Sequence, residues 1–167
     1  MARPLARRGS PRLWCIWLGL LGYTGYAYGL YAFETVINPL YLGYIATFGL
    51  SVWGIVTFFA RADLCAFEAR HPPRRLTGAL FLLLVAMFLL LWLAILVPAM
   101  QSRTPPDGAT IFVFDLALVL PALTATAILL WRGARWGDIL ALPLLIKAAA
   151  GGGGKGMRIV STDAEFS

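Results

Sequence analysis

Asp115 is the residue of this sequence whose position most invites chemistry. It is the one charged side chain within four long apolar stretches, Leu13–Phe33, Leu40–Ala60, Ala79–Met100 and Ile111–Trp131. An aspartate at the centre of a membrane helix costs roughly 2.5–3.5 kcal/mol. A carboxylate kept at such a cost is by default a candidate for holding a proton, an ion or a structural hydrogen bond. Asp115 stands near the start of its stretch, about 6 Å along a helix, where the cost is smaller. Lys147, in the shorter apolar segment Ile139–Ala150, is its natural partner, with a long side chain that reaches either toward the acid or toward an interface. Glu34 closes the first stretch and reads as an end cap facing the following connector. Asp115, Lys147 and Glu34 together make a candidate intramembrane polar site.

Other residues shape the surroundings of that site. Pro121 lies midway along the fourth stretch and cannot donate to the carbonyl of Ala117, so a kink is expected there, with Thr124 or Thr126 serving the freed backbone groups. All six tyrosines fall between Tyr23 and Tyr44, the pattern of an interfacial aromatic belt. Tyr23 and Tyr26 sit deeper than a belt requires and, with Trp92, suggest an outer aromatic cavity. Trp53 and Trp92 are expected to pack between helices. Gly19, Gly22, Gly25 and Gly29 on the first stretch, and Gly43, Thr47 and Ser51 on the second, give small faces for close helix contact, either between these two helices or between copies of the chain.

Several other chemistries find no support. The lone His71 stands six residues past Cys65, and no set of ligands has metal spacing. Gly151–Gly156 matches G-x-G-x-x-G only as any glycine run does, and Lys155 is followed by Gly156 where a P-loop needs Ser or Thr. No nucleophile–base set is visible. No cofactor or metal is expected, and no enzymatic activity.

The elements that must position these residues follow from composition. The chain has 167 residues, 60% hydrophobic and only 13% charged, with mean hydropathy +0.77. A soluble domain carries roughly twice that share of charge. Each of the four long stretches makes about 31 Å of helix, enough to cross a hydrocarbon core of about 30 Å, and in hydrocarbon only helices or closed barrels satisfy the backbone. The expected fold is therefore all-α: a polytopic transmembrane bundle of four spanning helices (13–33, 40–60, 79–100, 111–131) and a short fifth segment (139–150). A glycine-rich linker and polar tail follow over 151–167. The net charge of +6 comes from arginines that flank the stretches. They are dense in the N-terminal arm and in the connector Arg61–Gly78, and sparse in Glu34–Pro39 and Gln101–Thr110, which places the N-terminus in the cytoplasm. Arg74 and Arg75 are expected on anionic lipid headgroups. The loop around Leu64 and Phe67 reads as a membrane-surface segment, and nucleic acid is not an expected partner.

The segments NPLYLGYIATFGLSVWGIV (Asn38–Val56) and FVFDLALVLPAL (Phe112–Leu123), the second with its D-L-x-x-x-L-P block from Asp115 to Pro121, resemble a family of small bacterial multi-pass inner-membrane proteins with no assigned activity. The resemblance runs from the first helix to about Lys147 and implies the fold and a bacterial inner-membrane location. In that family the last helix continues as an apolar run after the lysine, whereas this sequence turns into AAAGGGGKGM. The expected role is non-enzymatic: packing with a membrane partner or a second copy, or binding a small apolar or lipid-like ligand. The alternative is a proton- or ion-coupled carrier using Asp115 and Lys147.

Overall fold

A computed structural model describes residues 11–34, 37–61, 73–106 and 108–151. Among them every regular element is helical. The elements are α1 (Pro11–Glu34), α2 (Tyr41–Arg61), α3 (Arg74–Ser102), α4 (Ala109–Phe114), a π turn (Asp115–Val119), α5 (Leu120–Trp131) and α6 (Arg135–Gly151). Two boundaries differ from expectation. α3 begins at Arg74 and α6 at Arg135, so Arg74, Arg75 and Asp138 lie in helices where connectors were expected. The amphipathic reading of the Leu64–His71 loop and the reading of the tail beyond Gly151 fall outside the described residues.

Among the described residues three helices are long and apolar enough to cross a membrane: Tyr41–Arg61, Arg74–Ser102 and Ala109–Trp131. α1 is as long as these, but its four glycines and four tyrosines dilute its apolarity, and it is not among the three. The outward faces of α2 and α3 carry large apolar side chains, among them Leu42, Leu50, Leu83 and Leu90, each about two-thirds exposed or more. A continuous apolar face of that extent belongs in hydrocarbon rather than water.

The helices pack as a row in the order α2, α1, α6, α5, α3, with α4 against α1. α6 is the shared element. Its Ile139 joins Cys15, Leu18 and Phe58 in one buried cluster, and its Ala141 joins Phe81, Leu123, Ala127 and Leu130 in another. α1 and α6 run parallel: the Cys15 thiol faces the Ile139 carbonyl at 3.8 Å, and further along Lys147 reaches Tyr26. One end of the bundle gathers Arg61, Arg74, Arg132 and Arg135. The opposite end carries a cluster of Tyr28, Tyr31 and Tyr44, with ring centroids 5.5–6.1 Å apart.

The expected contact between α1 and α2 is present, but the glycine face of α1 is divided among three neighbours. Gly25 approaches Ser51 of α2, Gly29 approaches Phe48 of α2 and Phe114 of α4, and Gly19 meets Pro143 and Ile146 of α6. The turn into α6 depends on Gly133, whose φ of 69° an L side chain adopts only with strain. It lets the N–H groups of Gly133 and Ala134 return to Leu130 and Leu129 and close α5. Trp53, expected between helices, points outward instead and is 69% exposed.

Candidate functional site

The site is built on the interruption between α4 and α5. α4 is entered from Gly108, in the left-handed conformation (φ 73°), and runs for six residues. The Asp115 N–H is shared between the Ile111 and Phe112 carbonyls, and the Leu120 N–H returns to the Asp115 carbonyl five residues back. That five-residue spacing is a π turn, one residue wider than an α turn. Pro121 follows at once and has no N–H to donate, so the kink expected at the proline takes the form of a widened turn just before it. Thr124 Oγ1 donates to the Leu120 carbonyl at 2.8 Å, while Thr126 is buried. The side chain that the turn delivers to the interior is Asp115, which is 9% exposed.

Both carboxylate oxygens of Asp115 have a donor. The Tyr26 hydroxyl of α1 donates to Oδ1 at 2.9 Å, and the Trp92 indole N–H of α3 donates to Oδ2 at 3.1 Å. The donors are themselves fixed by aromatic contacts. Trp92 stands edge-on to Phe112 with centroids 4.8 Å apart, and Tyr26 edge-on to Phe114 at 5.9 Å. The Lys147 ammonium of α6 lies over the face of Tyr26, 3.9 Å from the ring centroid. Lysine and aspartate are thus brought to one place, but they meet through a tyrosine.

The other expected site residues go elsewhere. Glu34 does not join Asp115; its Oε1 accepts the Thr110 N–H at 2.6 Å, so the last residue of α1 caps the first turn of α4. This is a cap on a neighbouring helix rather than a solvated end. Tyr23 makes no ring or hydrogen-bond contact with the site among the described residues. Tyr26 and Trp92 converge on the Asp115 carboxylate. Asp115 stands six residues into its helix, about 9 Å from the start, deeper than the sequence placed it.

A second polar contact, at the opposite end, was missed in the sequence. Arg74 Nε and Nη2 donate to Asp138 Oδ1 and Oδ2 at 2.9 and 2.6 Å, and the Asp138 side chain is only 1% exposed. This two-pronged geometry joins the start of α3 to the start of α6, where a carboxylate also complements the helix dipole. The Arg74 guanidinium, expected on lipid headgroups, is engaged by Asp138 and remains one-third exposed. Arg75 remains exposed, and its carbonyl accepts from the Trp131 indole at 3.4 Å. The available signal was a lone acid at the head of an apolar segment, with arginines at the head of another. Among the described residues no group of three or more His, Cys, Asp or Glu side chains could hold a metal ion.

A family model described as carbamoyl-phosphate synthase L chain, ATP binding domain, matches residues 134–167. No curated protein matches the chain, and no solved structure does. The matched residues include all of α6, which is a helix packed on α1 and α5 with Ile139, Ala141 and Pro143 buried. A glycine loop that cradles phosphates follows a strand and opens a helix. In this chain the residues before the glycines are helical and belong to the core of the bundle.

Proposed function

We propose that this chain is a multi-pass protein of the bacterial inner membrane that binds a small apolar or lipid-like molecule without transforming it. In this reading α1, α2, α3 and the α4–α5 helix span, and α6 enters from the cytoplasmic side beside α1. The arginine-rich end faces the cytoplasm, in keeping with the distribution of basic residues. The observation that carries the ligand reading is a groove of about 300 Å³ between α1 and α2, lined by Trp14, Trp17, Leu50, Trp53, Thr57 and Phe58. Its size and its almost wholly apolar wall suit part of a lipid or a comparable molecule. The test is organic extraction of the detergent-purified protein followed by mass spectrometry, comparing wild type with Thr57→Phe, which fills the groove. The expected result is one apolar species retained near stoichiometry by wild type and lost from the variant. Equal retention by both, or none by either, removes the reading.

A second reading, a proton- or ion-coupled carrier, draws support from the Asp115–Tyr26–Lys147 arrangement, because an ionisable group inside a membrane bundle commonly marks an ion path. In vesicles with an imposed pH gradient, wild type should dissipate it faster than Asp115→Asn. Identical rates would end this reading.

A further inference from the structure

We infer that the face of Tyr26, backed by the Asp115 carboxylate, is a binding site for an organic ammonium ion, and that Lys147 occupies it from within the chain. The inference needs neither the groove between α1 and α2 nor transport. It rests on the geometry around Tyr26. The phenol donates its proton to a carboxylate 2.9 Å away, which draws negative charge onto the oxygen and enriches the ring face. The other carboxylate oxygen is held by the neutral Trp92 indole, so no hydrogen-bonded cation cancels the charge of Asp115. An electron-rich ring beside a carboxylate is the chemistry that recognises primary and quaternary ammonium groups.

Lys147 displays that preference. Its ammonium sits 3.9 Å above the ring, and among the described residues it makes no ion pair and no hydrogen bond. A buried-site lysine needed only for structure would be expected on the carboxylate itself. The lysine is also a removable occupant. It lies four residues before the end of α6, on a flexible stem that can carry the charge out to an interface. Phe114, edge-on to Tyr26 and only partly buried, supplies apolar surface for the body of a ligand whose head takes the place of the ammonium. The ligand class is an ammonium on a small apolar body, either a free amine or the headgroup of a choline or ethanolamine lipid.

The test uses hexyltrimethylammonium, whose charge does not titrate, with hexanol as the neutral control. A tethered ammonium competes at an effective millimolar concentration, so Lys147→Met should bind the probe roughly tenfold more tightly than wild type by calorimetry. Adding Asp115→Asn to Lys147→Met should abolish that gain, and hexanol should bind equally to all three. Affinity unchanged in Lys147→Met, or unchanged on adding Asp115→Asn, overturns the inference. A measurement without variants stands beside this one. Saturating probe should release Lys147 and raise its modification by an amine-reactive reagent, read by mass spectrometry against Lys155 in the same chain. Constant Lys147 modification overturns the inference even if the variants do not fold. Wild type in phosphatidylcholine nanodiscs, compared with phosphatidylglycerol nanodiscs, separates the sources: Lys147 more reactive in phosphatidylcholine identifies the headgroup, and equal reactivity with a response to the probe identifies a free amine.

Discussion

Asp138 at the basic end and Asp115 toward the tyrosine end are both buried, yet a guanidinium fork meets the first and a phenol and an indole meet the second. Arg74 is one-third exposed, so the pair at the basic end has one member in contact with the surroundings. Deeper in the bundle neutral donors take both carboxylate oxygens, and the Lys147 ammonium stands over the tyrosine ring instead of on the acid. The comparison teaches that position along the bundle, and not residue type, decides how an aspartate is stabilised here. Charge pairing serves where water is near. Aromatic donors serve where it is not.

The largest expected effect comes from breaking the charged side of that contrast. Asp138→Asn keeps the shape but removes two charge-assisted bonds, and should lower the melting temperature in detergent by roughly 8 °C. Asp115→Asn replaces an all-acceptor group by one that must present an N–H to Tyr26 or Trp92. It should cost about 1.5 kcal/mol, near the upper end for polar contacts between membrane helices. A larger loss for Asp115→Asn than for Asp138→Asn would reverse the comparison. Tyr26→Phe and Trp92→Phe should each cost about 0.6 kcal/mol, and much less in the Asp115→Leu background, as a double-mutant cycle on chemical or thermal denaturation will read. The smallest effect is that of salt. Raising sodium chloride to about 0.5 M should lower the wild-type melting temperature by roughly 1 °C through the partly exposed Arg74 pair, and should leave Asp138→Asn unmoved.

The sequence made the helical class legible because apolar runs as long as Ala79–Met100 have no alternative in hydrocarbon. It also singled out Asp115, Lys147, Tyr26 and Trp92, since a polar or aromatic side chain misplaced in such a run stands out against its surroundings. What it left open was how they meet. The π turn changes the direction of Asp115 by an amount that helical periodicity does not encode, and Lys147 stops at the tyrosine instead of reaching the acid. Asp138 was overlooked for the opposite reason. Near a helix end a charged residue is ordinary, and only the packing of α3 and α6 on α5 shows that it is buried. Glu34 looked like a simple end cap, and only the contact of α4 with α1 identifies which helix it caps.

The parallel pairing of α1 with α6 has a bearing on how the chain is made. Cys15 and Ile139, which touch in the finished bundle, are 124 residues apart in the order of synthesis. Synthesis makes α1 before the other described helices and α6 after them. Until then Gly19 lacks its neighbours on α6, the Tyr26 ring has no ammonium above it, and the Arg74 guanidinium waits for its carboxylate. Assembly of the described bundle therefore waits for α6, and nascent chains halted before Arg135 would expose those groups to whatever chaperone or protease patrols for them.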